Sequence, residues 1–273
     1  MVPVSFSVGV VISTYNNPEW LEKTLWGYTR QTLVPDEVII ADDGSDDRTG
    51  SLIDSFRGLL NIKHVWHEDN GFRKSEILNK AIVAATADYL IFTDQDCVPR
   101  EDFVETHALT ACPRHFVSGG YMKLPMELSK KIEKEDITSG RAFSLTWLLS
   151  NGLHLNWKCS KLISNKMTAW AINHITPAKA SWNGCNASGW RKDMLAINGF
   201  NEEMRYGGQD REFGERLINM GVRPIQKRYS AIVLHLDHKR PYRTAESIEK
   251  NNAIRRATRR MRVIRTPNGI VKE

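Results

Sequence analysis

Short apolar runs alternate with helical patterns four times in the first hundred residues of this 273-residue chain. Each run consists mainly of apolar residues and stops at a turn sequence, as buried strands do. Strands that alternate with helices are typical of a parallel sheet with right-handed crossover connections. The pattern therefore predicts an α/β fold with a central, mostly parallel sheet flanked by helices. The four runs are residues 6–14, 37–41, 62–66 and 90–92.

Two carboxylates follow the fourth run directly, in the sequence Asp94-Gln95-Asp96. In an open α/β sheet, ligands bind at the carboxyl ends of the strands. Paired carboxylates repel each other unless a cation lies between them, and Mg²⁺ or Mn²⁺ takes such oxygen ligands while keeping positions for substrate phosphates. The pair therefore predicts a metal bridge to a nucleoside diphosphate. The alternative is that both are turn residues, because Asp favours turns.

Glycine-rich phosphate-binding motifs are missing from the sequence. No G-x-G-x-x-G pattern follows the first run, and G-x-x-x-x-G-K-[ST] occurs nowhere. The sequence therefore supports neither a dinucleotide-binding dehydrogenase nor a P-loop nucleotidase. A nucleotide bound by the predicted sheet would depend on strand-end carboxylates and a metal ion.

The composition, with 41% hydrophobic and 26% charged residues, is that of a globular protein. No run approaches the roughly 18 apolar residues of a membrane-spanning helix, and residues 1–7 lack the regions of a signal peptide. The four cysteines include no C-x-x-C pair, which favours reduced thiols over a zinc site. These features predict a cytoplasmic protein.

Residues 126–180 interrupt the alternation and predict a largely helical insertion. Three interpretations stay open, since the insertion could cover a nucleotide site, present an apolar surface to an acceptor, or complete the core. One continuous domain is expected. It comprises a nucleotide-binding half (1–125), the insertion, an acceptor and catalytic half (181–240), and a basic C-terminal helix and tail (241–273).

A second acidic cluster, residues 207–212, begins with two glycines and opens a predicted helix. The glycines let the backbone approach a ligand closely. Asp210 at the start of this helix could be the base that a transfer to a hydroxyl group requires, because the attacking oxygen must lose its proton. The alternative is a helix cap.

Two histidines, His235 and His238, follow a predicted strand at residues 231–234. Imidazole nitrogens near a carboxylate pair could complete a metal site. A purely structural role is the alternative.

The net charge of +6 is concentrated in the tail. From Lys239 onwards, 11 Lys and Arg residues face 3 Asp and Glu residues, so the remainder is close to neutral. The pattern predicts a basic amphipathic helix over residues 247–264. Such helices lie on anionic membrane surfaces, where each cation contributes on the order of 1 kcal/mol. The alternative is docking on the domain by the apolar face, which consists of Ile254, Ala257, Met261 and Ile264.

Five sequence blocks resemble, in order and spacing, the GT-A glycosyltransferases, in particular the bacterial family-two enzymes related to chondroitin-type polymerases and to galactosyltransferase C-terminal regions. The resemblance covers nearly the whole chain except residues 126–180. It implies the GT-A nucleotide-diphospho-sugar transferase fold, a UDP-sugar donor and Mn²⁺ or Mg²⁺ as cofactor. The blocks are residues 11–16, 42–45, 70–73, 94–100 and 207–212, and a sixth, 235–238, lies where the family has a metal-binding histidine.

The resemblance implies a nucleotide-binding role for five residues. Thr14 and Tyr15 would line the nucleotide pocket, and Asp43 would hydrogen-bond the uracil ring. Arg73 would approach the nucleotide or the diphosphate. Asn186 would border the donor sugar.

The resemblance places the metal and the base at five further residues. Asp94 would span the ribose and the sugar and join the metal site. Asp96 would bind the metal directly, with His235 or His238 as the further ligand. Asp210 would be the catalytic base.

Two positions depart from the family pattern: Gln209 stands where an acidic residue usually precedes the base, and Leu78 stands before Asn79 where the family often has Arg. The implied function is an inverting hexosyl transfer from a UDP-sugar to a glycan or lipid-linked glycan in bacterial surface polysaccharide biosynthesis, such as lipopolysaccharide or capsule. The expected location is the cytoplasm, with peripheral contact at the cytoplasmic face of the inner membrane left open.

Two other functions were weighed. A sugar nucleotidyltransferase would usually show a glycine-rich loop with Arg and Lys after the first strand, and this loop is absent. A basic nucleic-acid-binding protein could use the tail, but it would leave Asp94, Asp96 and Asp210 without a task. No nucleic-acid partner is therefore expected.

Overall fold

The computed structural model describes residues 4–162, 165–177, 179–239 and 244–272. Within these ranges, eight strands form one sheet. The strands are β1 (Val8–Thr14), β2 (Glu37–Asp42), β3 (Ile62–Trp66), β4 (Tyr89–Asp94), β5 (Cys97–Pro99), β6 (His115–Lys123), β7 (Ala187–Trp190) and β8 (Arg223–His235). Their order across the sheet is β3-β2-β1-β4-β7-β6-β8-β5.

Helices pack on both sides of this sheet. The described α-helices are α1 (Pro18–Tyr28), α2 (Asp47–Ser55), α3 (Lys74–Ala84), α4 (Phe103–Thr110), α5 (Met126–Lys131), α6 (Lys134–Thr138), α7 (Leu145–Ser150), α8 (Lys166–Ile175), α9 (Arg191–Ala196), α10 (Gln209–Asn219) and α11 (Ala245–Arg260). Two 3₁₀ turns lie at Arg141–Phe143 and Trp157–Leu162.

Parallel pairing among β1 to β4 brings the carboxyl ends of these strands to one edge of the sheet. The register sets Ser13 beside Asp94 and Thr14 beside Asp42. Every residue of β1 and β2 is buried, as in sheets covered by helices on both faces. The predicted α/β fold with a mostly parallel sheet is confirmed.

The other half of the sheet differs in detail from the sequence prediction. β7 runs antiparallel between β4 and β6. β8 has 13 residues, many more than the predicted 231–234, because its first half is polar and partly exposed and lacks a buried-strand pattern. The short β5 is not predicted at all. It pairs Cys97 with His235 and so draws the end of β8 towards Asp96.

The insertion is helical, as predicted, and it forms a third part of the core. Apolar side chains from α5 to α7 and the second 3₁₀ turn pack against Trp20 of α1, Val98 of β5 and Leu234 of β8. The structure thus favours the interpretation in which the insertion completes the core.

The tail helix α11 is present but ends at Arg260, earlier than predicted. Its docking contacts are polar. The Asn251 side chain donates to the carbonyls of Arg205 and Gly207, both at 2.9 Å. Of the predicted apolar face, Ile254 and Ala257 are partly buried, whereas Met261 and Ile264 stay 61% and 41% exposed, so only part of that face is covered. No helix in the described ranges has the length and apolar character needed to cross a bilayer.

A buried ion pair holds α10 in place. Arg216 is fully buried, and its Nε donates to Glu212 at 2.8 Å. Nη1 donates to the Ile197 carbonyl and Nη2 to the Gly199 carbonyl, both at 2.6 Å, and these two residues follow α9. Since α10 begins at the predicted base, this pair fixes the helix that carries Asp210.

Replacing Arg216 with Met should destabilise the fold by about 3–5 kcal/mol, because Glu212 would remain buried without its cation. The measurement is the free energy of urea unfolding. Arg256→Met is the matched control, since Arg256 is exposed in a helix, and it should change stability by less than about 0.5 kcal/mol. Equal effects of the two substitutions would contradict the assigned role of the buried pair.

Candidate active site

A cleft of about 960 Å³ opens at the carboxyl ends of β1 and β4. Eight of the ten residues singled out in the sequence line it, namely Thr14, Tyr15, Asp43, Asp94, Asp96, Asp210, His235 and His238. The parallel register explains the convergence, because residues that follow neighbouring parallel strands must meet at one edge. Arg73 and Asn186 are not among the lining residues.

Lys74 joins the carboxylates in this cleft. Its ammonium lies 2.6 Å from Asp94 Oδ1, which also accepts a 2.6 Å hydrogen bond from Ser13 Oγ. Burial alone would lower the pKa of Lys74, but the charges of Asp94 and Asp210 outweigh it and raise the pKa above its usual value. Lys74 therefore stays protonated and neutralises part of the negative charge.

Lys74 was not predicted from the sequence, because a single lysine at a helix start belongs to no phosphate-binding pattern. Its one signal is position. Lys74 is the first residue of α3 and follows directly on the block 70–73.

Asp210 lies in the first turn of α10, after Gly207 and Gly208, which both have positive φ. A Cβ on Gly184 would lie 2.5 Å from Asp210 Oδ1, so the backbone of Gly184 approaches the carboxylate as only glycine can. Oδ1 is buried and has no hydrogen-bond partner among the described residues.

Burial raises the pKa of Asp210, and the charge of Asp94 adds to this effect while Lys74 opposes it. A carboxylate with a raised pKa and an unpartnered oxygen is suited to accept a proton. This geometry is what a general base in the cleft requires.

Asp96 faces two imidazoles. Asp96 Oδ2 lies 2.9 Å from His238 Nε2 and 3.6 Å from His235 Nδ1. Burial would raise the pKa of Asp96, but the hydrogen bond from His238 and the charge of both histidines lower it to about 2. Asp96 is therefore ionised at neutral pH.

Asp96, Cys97 and His235 offer ligand atoms within 4.8 Å of one another. Burial raises the pKa of the Cys97 thiol well above its usual value, and this thiol donates to Asp96 Oδ1 at 3.4 Å. A carboxylate oxygen with imidazole nitrogens is a donor set that fits a divalent ion. Asp96 with His235 or His238 could hold such an ion.

Gln95 fixes the wall that Thr14 and Tyr15 form. Gln95 Oε1 accepts from Thr14 Oγ1 and, at 3.1 Å, from the Tyr15 amide, while Gln95 Nε2 donates to the Tyr15 carbonyl at 3.2 Å. The Tyr15 hydroxyl donates to Asp69 at 2.9 Å. The middle residue of the acidic motif thus has a positioning role that sequence reasoning did not assign.

Asp43 is held by His67 and by the Arg73 backbone. His67 Nε2 contacts Asp43 Oδ1 at 2.7 Å, and the Arg73 amide donates to Oδ2 at 3.0 Å. Burial raises the pKa of Asp43 despite these contacts. The sequence analysis did not identify His67.

The structure corrects two placements. The Arg73 guanidinium binds Glu76 at 3.3 Å and the Glu68 carbonyl, so it faces its own segment and not the cleft. Asn186 is fully buried, and its Nδ2 donates at 2.7 Å to Gly120 O and at 3.0 Å to Ala231 O. The prediction that Asn186 borders the donor sugar is therefore wrong, because its polar atoms hold the sheet together.

Of the two departures from the family pattern, Leu78 is buried in the apolar core and Gln209 makes a polar contact, as does Asn79 beside Leu78. Gln209 Oε1 accepts from the Gly207 amide at 2.9 Å and so closes the glycine turn before the base. Asn79 Nδ2 donates to Phe200 O at 2.9 Å, and Asn79 Oδ1 accepts from the Phe200 amide at 2.6 Å. Both side chains shape loops around the cleft.

Residues 9–165 match the sequence model of Glycosyl transferase family 2, which is more than half of the chain. The chain belongs to this family. Residues 169–242 of the family 2 chain also match a model described as the N-terminal domain of galactosyltransferase. The two matches together contain all ten candidate residues.

Curated relatives of this family 2 chain include two bacterial enzymes. Chondroitin synthase from Escherichia coli is 29% identical over 228 residues, which cover 78% of this chain and 32% of that protein. Validoxylamine A glucosyltransferase from Streptomyces hygroscopicus subsp. limoneus is 29% identical over 232 residues, which cover 79% of this chain and 48% of that protein. The chain thus spans about a third to a half of the length of these relatives.

Solved structures share the fold of this family 2 chain. The mannosyltransferase PcManGT from Pyrobaculum calidifontis, in complex with GDP-Man and Mn²⁺, has a TM-score of 0.57 at 22% identity and covers 94% of this chain and 62% of its own. S. aureus TarS 1-349 in complex with UDP-GlcNAc has a TM-score of 0.59 at 16% identity, with 86% and 60% coverage. The expected GT-A fold is confirmed.

Lys74→Met should destabilise the protein more at pH 7 than at pH 4 in metal-free buffer. Without Lys74, the pKa of Asp210 rises further above its unfolded value. A carboxyl group with a raised folded pKa contributes stability at low pH and loses it as the pH rises through the folded pKa. The measurement is the unfolding free energy relative to wild type, with a deficit of about 3 kcal/mol expected at pH 7.

Lys80→Met is the control for that comparison. Lys80 lies on the same helix, is 42% exposed and pairs with Glu76 at 2.8 Å. Exposed pairs contribute about 0–1 kcal/mol, so a small loss with little pH dependence is expected. A deficit for Lys74→Met that is equal at both pH values would contradict the proposed charge balance.

Proposed function

We propose that this family 2 chain is an inverting, metal-dependent hexosyltransferase that uses a UDP-sugar. The acceptor is a hydroxyl group of a glycan or lipid-linked glycan in bacterial surface polysaccharide biosynthesis, such as lipopolysaccharide or capsule. The observation that carries the proposal is the unpartnered, buried carboxylate oxygen of Asp210 in the same cleft as Asp94 and Asp96.

The donor end of the proposal rests on the wall that Thr14, Tyr15 and Asp43 form. Asp43 is fixed by His67 and presents a carboxyl group suited to hydrogen-bond a uracil ring. The fold neighbours support a nucleotide-sugar donor, since PcManGT was solved with GDP-Man and Mn²⁺ and TarS 1-349 with UDP-GlcNAc. Asp94, held by Ser13 and Lys74, would bind the ribose and the donor sugar.

Asp96 with His235 or His238 would hold Mn²⁺ or Mg²⁺, which would neutralise charge on the leaving diphosphate. Lys74 adds a fixed positive charge near the same carboxylates. Asp210 accepts the proton of the acceptor hydroxyl as its oxygen attacks the anomeric carbon from the face opposite the leaving group. One base in one cleft suffices for such an in-line displacement, which inverts the anomeric configuration.

A cytoplasmic location with peripheral membrane contact belongs to the same proposal. Arg256 and Arg260 of α11 are exposed, and so is Met261 just beyond the helix. Basic residues beside apolar ones favour an anionic membrane surface. Such contact would bring the cleft to a lipid-linked acceptor.

Asp210→Asn should reduce transfer by about 10²- to 10⁴-fold, the usual contribution of a general base. Binding of UDP in the presence of Mn²⁺ should persist and should weaken when EDTA removes the metal. The measurements are UDP release from a panel of UDP-sugars and calorimetric titration of UDP.

Asp193→Asn is the matched control. Asp193 on α9 also has a raised pKa caused by burial and a buried oxygen with no described partner, but it does not line the cleft. This variant should keep wild-type turnover. Retained turnover in Asp210→Asn would show that the base lies elsewhere. An affinity for UDP that is the same with and without EDTA would contradict the metal assignment.

A further inference from the structure

A second cavity of about 250 Å³ adjoins the main cleft. Asp210, Tyr121 and Asn183 line both cavities. A group bound in the second cavity therefore lies beside the carboxylate proposed as the base. This is the position that an acceptor must take for its hydroxyl group to reach Asp210.

Three cations line this second cavity, namely Lys161, Arg211 and Arg228. Among its described lining residues, Asp210 is the one acidic side chain. The Lys161 ammonium donates to the Tyr121 carbonyl at 3.0 Å and lies 5.1 Å from the Tyr121 ring centroid. Within the described ranges, none of the three cations has a carboxylate oxygen within 4.0 Å, so their charge is not neutralised by a close ion pair.

The cations also act on each other. Burial lowers the pKa of Lys161, and the positive charges of Arg228 and Lys158 lower it further. Arg228 and Arg211, which line the same cavity as Tyr121, both oppose the rise that burial causes in the pKa of Tyr121. Like charges held together at a partly buried site attract an anion.

The backbone builds this cavity and fixes Arg228. A β-bulge between Gly119 and Gly120 shifts the register of β6 against β8. A Cβ on Gly120 would lie 2.0 Å from the Arg228 carbonyl, so glycine is needed for this close approach. Buried Asn186 stabilises the bulge, because its Nδ2 donates to Gly120 O at 2.7 Å. His107 Nε2 in turn contacts Asn186 Oδ1 at 3.0 Å. The backbone that carries Arg228 is therefore fixed at this bulge.

We propose that the acceptor carries a negatively charged group, a carboxylate or a phosphate ester, and that Lys161, Arg211 and Arg228 bind this group while Asp210 faces the attacking hydroxyl. The proposal rests on the proposed function and narrows its acceptor to an anionic glycan. Selectivity for the anion comes from the unpaired cations, because a neutral sugar would leave them without a counter-charge.

The test is binding of matched monosaccharides, which requires no turnover. Saturation-transfer NMR with protein, UDP and the diamagnetic ion Mg²⁺ compares a methyl glucoside with the corresponding methyl glucuronide and methyl glucoside 6-phosphate. We expect at least one charged probe to bind about tenfold more tightly than the neutral probe, since a hydrogen bond to a charged group has this magnitude. The two charged probes distinguish a carboxylate from a phosphate ester.

Substitutions assign the preference to this cavity. Arg228→Met and Lys161→Met should each reduce the ratio of charged to neutral affinity, whereas Lys161→Arg keeps the charge and should retain much of it. Lys158→Met is the matched control, because Lys158 adjoins the same cations but does not line the cavity. Thermal unfolding of each variant checks that it folds.

The inference would be overturned if the wild-type protein bound all three probes with equal affinity. It would also be overturned if the double variant Arg228→Met, Lys161→Met kept the wild-type ratio of charged to neutral affinity. Failure of the proposed function gives a different result. In that case the charge preference would persist while no UDP-sugar is consumed with any acceptor.

Discussion

The charge balance around Lys74 is the interaction on which the candidate site depends. Asp94, Asp96 and Asp210 all line one cleft, and neighbouring like charges destabilise a fold unless cations accompany them. The Lys74 ammonium supplies one cation, at 2.6 Å from Asp94. The imidazoles of His235 and His238 face Asp96 from the other side. The site is therefore electrostatically divided into an ionised part and the raised-pKa carboxyl of Asp210.

This division matches the two tasks of the proposed reaction. The ionised carboxylate of Asp96 is suited to a divalent ion, whereas the raised pKa of Asp210 suits proton transfer. The second cavity, with Lys161 and Arg228, adds a positive region next to the same base. Donor phosphates and an anionic acceptor would then bind on separate sets of cations, with Asp210 common to both cavities.

Much of the fold was predictable from local patterns, because buried parallel strands such as β1 and β4 consist of apolar residues that end in polar turns. The strand-end residues Asp94 and Asp96 could be found for the same reason. Elements stabilised by distant partners were not predictable. The first half of β8 is polar, and β5 exists only because Cys97 pairs with His235 across the sheet.

Single residues whose roles depend on distant partners were also not predictable from the sequence. Lys74 has a role only because folding buries it against Asp94, and the residues next to it in the sequence do not predict this contact. Asn186 was assigned to the donor sugar from the family resemblance, whereas its hydrogen bonds hold the bulge between β6 and β8. The tail helix docks by Asn251, a contact that apolar periodicity cannot reveal.

The most direct test of the metal site is anomalous diffraction at the manganese edge from crystals grown with Mn²⁺ and UDP. Manganese should give one strong peak, bonded to Asp96 and to His235 or His238, with the diphosphate as a further ligand. A peak remote from Asp96, or UDP bound in the cleft without manganese, would contradict it.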